Sequence, residues 1–424
     1  MINFKVLSSF EFNSLKEQVV KFILRLGFVI WLWAFLFARV PLAAIQDLFG
    51  LESRPLLLLD CLSIGLASLA FSQVGFRPWK VFQAPSARVA GLSFALLWVF
   101  YLLRLGFDHW FLSVEMVTPA SILFKHLLTS TLIPALCLPW IVSMRSKVPT
   151  LPLLIGLGSI SMLFGELSFV FIKGLDALGK VRFAFEDLNP IPASYSSASL
   201  VILSSLFLWR VLCQSTYTSR VFRVLLGLIG LLSGLLGIQL AMTKGAFLAL
   251  IPLVIYLGYC LSKRFGVFGF SAVLSISASA AVLMFGGMRS NLWAAGSVSD
   301  RFEMILQSLR VWTNHWFLGV GFRAQTILNS NPLTIHDYWY PHNFIAEVLL
   351  LGGVILMTIV VLYVVSVGLT TSFDLTSAGL EDPMQVPLTF LWLQGFASAL
   401  VSGHLALIPG LWVGGLLVVL IRFR

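Results

Sequence analysis

Twelve separate stretches of roughly 20 apolar residues each divide this chain, near positions 19–38, 55–75, 89–107, 121–143, 151–172, 193–213, 221–242, 245–262, 266–286, 343–369, 386–403 and 405–421. A helix of that length covers the hydrocarbon core of a bilayer and satisfies its backbone polar groups internally. The pattern predicts an all-α integral membrane protein with about twelve transmembrane helices. Composition excludes a soluble globule, because 58% of the 424 residues are hydrophobic and only 11% are charged, against about 25% charged in soluble domains. The one long polar interruption lies between Gly286 and His342. Residues 1–424 are therefore expected to form a single membrane domain with one large outer loop over 287–341. Pro409 and the glycines of "GHLALIPG" should disturb the helix between the last two stretches.

The opening "MINFKVLSSFEFNSLKEQ" mixes charges with apolar positions and lacks the apolar core and small-residue cleavage site of a signal peptide. Residues 1–18 are expected to lie as a short helix on the inner membrane surface. Cys61 and Cys137 sit inside apolar runs and Cys213 and Cys260 at the ends of two others, with no metal-site or disulfide spacing. A net charge of +10 would suggest nucleic acid in a soluble protein; here it is first a topology signal, and no nucleic-acid partner is expected. With the N-terminus inside, nearly every short inner loop is basic: Lys5, Lys16, Lys21 and Arg25; Arg77, Lys80 and Arg88; Arg145 and Lys147; Arg210, Arg220 and Arg223; Lys263 and Arg264; Arg422 and Arg424. "FDLTSAGLEDPMQ" is the exception. Short basic loops stay cytoplasmic, so both termini are predicted inside.

The remaining cations cluster on outer segments. Lys173, Lys180 and Arg182 precede the sixth stretch, Lys244 opens the eighth, and Arg289, Arg301, Arg310 and Arg323 fill the large loop. Within that loop, "SVSDRFEMILQSLRVWTNHWF" carries a helix start at Ser299 or Asp300, with Glu303 in the first turn. Phe302, Ile305, Leu306, Leu309, Trp312, Thr313 and Trp316 follow at helical spacing, as on an amphipathic helix lying on the bilayer or over the bundle. Arg301 then falls in the first turn, where the helix dipole disfavours a cation, so an anionic ligand or Asp300 should compensate it. Two readings of these arginines stand together. They touch lipid headgroups and pair with Asp300 or Glu303, or their planar forks hold an anion such as a diphosphate; jointly the cluster favours the anion.

His342 follows Pro341 and precedes a long apolar stretch, so it is expected at the N-terminal end of an inward-pointing helix. The dipole there favours the neutral imidazole, which can accept a proton from a hydroxyl or donate a hydrogen bond to a phosphate. Alone, such a histidine reads better as an interfacial group held by water and headgroups; Asn343, Glu347 and the upstream arginines shift the reading toward a site. His336 and Asp337 do not make a metal set with His342, and Tyr338, Trp339 and Tyr340 read first as interfacial anchors. "GVGF" follows no strand and is no nucleotide loop. Among ionisable residues inside apolar stretches (Asp60, Lys125, His126 and Glu166), Glu166 in "SMLFGELSFVF" is the best functional suspect.

Four segments in order resemble the O-antigen ligase and polymerase family of bacterial envelope enzymes. "VRFAFEDLNPIPASYSSASL" is similar to its Arg-plus-Asn-Pro segment, and "LAMTKGAFLALIPLVIYL" to its Ser-Arg-Gly helix start. "SDRFEMILQSLRVWTNHWFLGVGF" is similar to its amphipathic segment ending in Gly-Val-Gly, and "PHNFIAEVLLLGGVI" to its His-Asn motif with Glu and glycines. The likeness covers about residues 180–365, and Lys244 departs from it by standing where the family has arginine, which leaves a point charge instead of a bidentate fork.

The resemblance implies glycan transfer from an undecaprenyl-diphosphate carrier to an acceptor, lipid A core or another glycan, at the periplasmic face of the inner membrane. By it, Arg182, Lys244, Arg289 and Arg301 hold the diphosphate, His342 assists acceptor attack or binds phosphate, and His342 and Arg301 are the catalytic candidates. Asn343, Glu347 and Glu166 support them, membrane lipid surrounds them, and no metal or other cofactor is needed. Two other classes remain in view: a transporter or flippase of lipid-linked glycans, for which no convincing internal repeat is found, and a non-enzymatic scaffold of an envelope machine. Protein oligosaccharyltransferases share the motif order with an extra periplasmic domain that has no counterpart here.

Overall fold

The computed structural model describes residues 23, 26–50, 55–74, 84–114, 116, 118–145, 150–177, 181–186, 188–214, 220–286, 296–329, 341–373, 384–402 and 404–423. Among them there is no β-strand, only an isolated bridge between Phe185 and Leu188. Helix runs through each of the twelve apolar stretches. Seven helices are long and apolar enough to cross a membrane, or eight if one bent pair counts as a single span. The chain is an all-α, multi-pass membrane protein. The interfacial segment expected over 1–18 lies outside the described residues.

In chain order the helices are α1 (Leu26–Leu36), α2 (Arg39–Phe49), α3 (Pro55–Val74), α4 (Pro85–Gly106), α5 (Ala120–Leu127), α6 (Ile133–Ser143), α7 (Thr150–Lys173), α8 (Pro190–Gln214), α9 (Arg220–Ala241) and α10 (Lys244–Leu248). Then come α11 (Ile251–Phe265), α12 (Val267–Gly286), α13 (Gly296–Asn314), α14 (Arg323–Asn329), α15 (Phe344–Phe373), α16 (Gln385–Ser402) and α17 (Pro409–Arg422). Large apolar side chains cover the outside, with Leu103, Leu167, Phe171 and Phe268 all exposed, while Trp31, Trp98, Tyr101, Tyr363 and Trp412 are sealed inside. This inversion of a soluble protein's surface is what lipid solvent permits. Lipid supplies no hydrophobic drive between helices, so close backbone approach matters instead. On α9, Gly227, Gly230, Gly234 and Gly237 form such a seam: a Cβ on Gly234 would stand 2.8 Å from the Ser197 carbonyl of α8.

Several boundaries differ from the sequence expectation. The first stretch, expected over 19–38, ends in a break, and α2 turns 65° away from α1. Helix α13 begins at Gly296, ahead of the expected cap at Ser299 or Asp300, so Arg301 sits in the second turn, where the dipole penalty has faded. The stretch expected as one helix over 343–369 is interrupted at Gly353, whose φ is 57°. The last two stretches are separate helices, joined by a tight turn at Leu405–Leu407, with Pro409 opening α17.

The break in α15 is filled by the "GVGF" turn. Val320 and Gly321 donate backbone N–H groups to the Leu350 carbonyl at 2.7 and 3.0 Å, and Val354 donates to Trp316 at 2.9 Å. Backbone groups freed by a helix break in an apolar medium must find such partners. The fit is tight enough to require glycine: a Cβ on Gly319 would strike the Leu350 carbonyl, and one on Gly353 the Phe317 carbonyl. The same turn rests on α4, where the helix continues as a π-turn over Phe107–Phe111. Asp108 there is fully buried, pairs with Arg104 Nε at 3.1 Å and accepts the Phe322 N–H at 2.7 Å.

Candidate functional site

Five pieces of chain meet at one place. Phe183 donates its N–H to the Leu240 carbonyl at 2.8 Å, which sets the Arg182 segment against the end of α9. Three residues beyond the end of α9, Lys244 opens α10. A Cβ on the next residue, Gly245, would meet the Tyr195 hydroxyl at 2.7 Å and Val401 at 3.4 Å, so glycine lets α10 approach both α8 and α16. Arg301 Nη1 of α13 donates to the Val401 carbonyl at 2.9 Å. Asn343 Nδ2 donates to the Leu400 carbonyl at 2.8 Å.

Two asparagines organise the local chain. Asn343 caps α15 by accepting the Ala346 N–H at 3.0 Å, and Asn189 accepts the Ile191 N–H at 3.0 Å before Pro190 starts α8. Each Asn leads a helix by the geometry of an N-cap. Because Asn343 is the cap, His342 lies just outside the helix end, in a left-handed conformation with φ 53°. That region is uncommon for residues other than glycine, and when surrounding contacts over-determine it, it tends to mark functional turns. Burial, and then the nearby Arg301 guanidinium, push the His342 imidazole down to about 4. It is neutral at ordinary pH and able to accept a proton.

Glu347 lies one turn further along α15 and is buried. Its Oε2 accepts the Leu405 N–H at 2.8 Å, and its Oε1 is 3.1 Å from His404 Nε2. His404 Nδ1 accepts the Ala406 N–H at 3.3 Å, so the neutral ring carries its proton on Nε2, directed at Glu347. The carboxylate thus pins the α16–α17 connection to α15.

Beside this connection lies a cavity of about 440 Å³, with Arg39, Asn189, Tyr195, Gln394 and His404 as its polar lining and leucines such as Leu32, Leu36 and Leu391 as its apolar lining. Gln394 ties the walls together, donating to the Tyr195 carbonyl at 2.7 Å and accepting the Ser199 hydroxyl at 2.9 Å. Arg301 and Asn343 attach to Val401 and Leu400, between the lining residues Ser398 and His404. Arg301 and His342 are not themselves lining residues; they adjoin the stretch of α16 that supplies part of the wall.

The structure brings Arg301, His342, Asn343 and Glu347 together and sets Lys244 next to Gly245 at the same place; the Lys244 side chain lies outside the described residues. Arg182 is exposed, alongside the end of α9. Glu166 is not part of this cluster. It is buried between α7 and α9, where a Cβ on Gly237 would come within 3.0 Å of its Oε1, and it does not line the cavity. Arg310 and Arg323 are exposed and make no contact with the cavity. Arg289, Lys180 and the His336–Tyr340 segment lie outside the described residues, as does the Asp300 side chain once expected to compensate Arg301. Among the described residues the Val401 carbonyl meets the guanidinium. Sequence reasoning missed Arg39, Tyr195, Gln394 and His404. Of these only His404 carried a signal, a titratable residue between the glycines and proline of "GHLALIPG". No protein-family model and no curated protein matches this chain.

Proposed function

We propose that the protein transfers a glycan from an undecaprenyl-diphosphate carrier to an acceptor at the periplasmic face of a bacterial inner membrane, with ligation to lipid A core preferred over glycan polymerisation. The observation that carries this reading is Arg301 donating to the Val401 carbonyl, next to a neutral, half-buried His342, on the stretch of α16 that supplies part of the wall of an amphipathic cavity. The reading includes twelve spans, both termini cytoplasmic, and the 287–341 segment outside. Membership of the O-antigen ligase and polymerase family is part of the same proposal, supported by the motif order.

In this mechanism Arg301, with Arg182, Lys244 and Arg289, meets the charge that grows on the diphosphate as it leaves. Fixed cations in a partly dry site act there without reorganising. An acceptor hydroxyl attacks the anomeric carbon, the bond from that carbon to the phosphate oxygen breaks, and His342 takes the hydroxyl proton. The carrier departs as undecaprenyl diphosphate. Asn343 orients His342, and Glu347 holds the connection against which both rest.

A transporter or flippase is the second reading, favoured by the discontinuous helices α1/α2 and α15, since such breaks line substrate paths in transporters. One experiment separates them: glycan transfer in a host deleted for its own ligase, comparing wild type with His342→Ala and Arg301→Ala. Transfer to lipid A core, lost in both variants while the protein stays inserted, supports the ligase. Longer glycans left on the carrier indicate a polymerase. Carrier-linked glycan reaching the outer face without transfer sinks the enzyme reading.

A further inference from the structure

The cavity contains a cation that the motif segments of residues 180–365 do not include. Arg39 begins α2, immediately after the 65° break from α1, and is only half-buried because it lines the cavity. Among the described residues no carboxylate and no hydrogen-bond acceptor pairs with it. Among the described residues the cavity lining contains no Asp or Glu, and the titratable groups near Arg39 are Tyr195 and His404 in the lining and His126 on α5. Glu347 is turned away, occupied by the Leu405 N–H and His404.

A guanidinium taken from water without a counter-charge is costly. Arg104, in the same molecule, has Asp108 at 3.1 Å. Arg39, facing a partly open cavity, has no such counter-charge among the described residues, which leaves its charge to a ligand. The remaining polar lining fits a phosphate: Asn189, Tyr195 and Gln394 bring neutral groups, while the leucines suit an alkyl or prenyl chain.

We infer that Arg39 anchors a phosphate of a membrane amphiphile whose apolar chain begins in the cavity between α1/α2, α8 and α16. On the function proposed above, that amphiphile is the carrier, and Arg39 is a further cation for its diphosphate besides Arg301; this identification rests on that proposal. The phosphate of an ordinary bilayer lipid offers the same chemistry.

The test uses the full chain in dodecyl maltoside micelles, which contain no phosphate, as wild type, Arg39→Gln, Arg39→Lys and Arg301→Ala. Undecaprenyl diphosphate is titrated with and without phosphatidylglycerol as competitor, and the Tm is measured without ligand. Arg39→Gln should weaken binding about tenfold to a hundredfold, the span expected for loss of a charge-assisted hydrogen bond, and Arg39→Lys should recover part of it. The ligand-free Tm of Arg39→Gln should equal or exceed that of wild type, because removing an uncompensated cation relieves the empty protein. Unchanged binding by Arg39→Gln, or a ligand-free Tm that falls together with binding, overturns the assignment. If Arg301→Ala loses binding and Arg39→Gln does not, the proposed function stands and this inference is removed. Equal displacement by phosphatidylglycerol, weakened by Arg39→Gln, keeps the phosphate anchor and removes the donor.

Discussion

Two regions of this protein are built from the same parts, an arginine beside a broken helix, and they differ in what faces the arginine. At the α4–α15 plug, Arg104 meets Asp108, Asp108 also takes the Phe322 N–H, and the "GVGF" turn supplies donors to the Leu350 carbonyl freed at the Gly353 break. At the cavity, Arg301 has a carbonyl and Arg39 has no partner among the described residues. The first region is closed in charge and pairs the freed backbone groups, although Asp108 Oδ1 itself has no hydrogen-bond partner. The second is open in charge. An arginine in a membrane protein is therefore read by its partners: compensated, it is structure; uncompensated beside a cavity, it waits for an anion.

The comparison breaks most easily at the plug. Asp108→Ala would strand the Arg104 charge and the Phe322 N–H together, and should cost about 3–5 kcal/mol, as for breaking a buried pair. Loss of folded protein in detergent, by thermal unfolding, checks this; a near-native Tm would mean the plug is not closed. Gly353→Ala should cost about 3 kcal/mol or more from its positive φ and the Phe317 backbone, seen in the same assay. Arg301→Gln should behave oppositely, with Tm close to wild type and transfer down about a hundredfold, the scale of one lost transition-state donor. Equal losses in both readouts would erase the distinction between the two regions.

Smaller effects sharpen it. The His342 pKa is depressed to about 4 from about 6.5 in an unfolded chain. The unfolded state thus binds the extra proton between those values, and stability falls as pH drops through that window. Transfer should be flat above that range, with its acid limb near pH 4. Arg301→Lys should leave the limb in place and Arg301→Gln move it upward, checked by the pH profile of residual transfer. Finally, His342→Gly should be more stable than His342→Ala by about 1 kcal/mol, because only glycine occupies φ 53° without strain; both should be inactive.

The sequence made some of this legible for local reasons. Apolar length marked the helices, and the expected helix start just after His342 agrees with α15 beginning at Phe344. The amphipathic stripe of the loop helix was readable too, although its start was not: "AAGSVSD" offers several caps, and the choice of Gly296 depends on packing against the bundle. The break at Gly353 was hidden in "LLLGGVILM", which reads as continuous apolar helix until a distant turn competes for its backbone. Arg104 and Asp108 stood one turn apart in an apolar stretch, a recognisable pair. Arg39, Gln394 and His404 belong to one cavity through contacts spanning hundreds of residues, and no local pattern encodes that.

Helix α13 and the turn after it set apolar side chains outward: Phe302, Leu306 and, past the helix end, Trp316 are exposed, while Met304, Gln307 and Ser308 are buried against the protein. A stripe of that kind floats in the headgroup layer, with Arg301 directly behind it. On the proposed function, the carrier would arrive sideways, by diffusion in the plane of the leaflet. Its relevant concentration would be a mole fraction of lipid rather than a molarity, so diluting the bilayer with inert lipid at constant volume should slow turnover, while diluting the whole vesicle suspension should not.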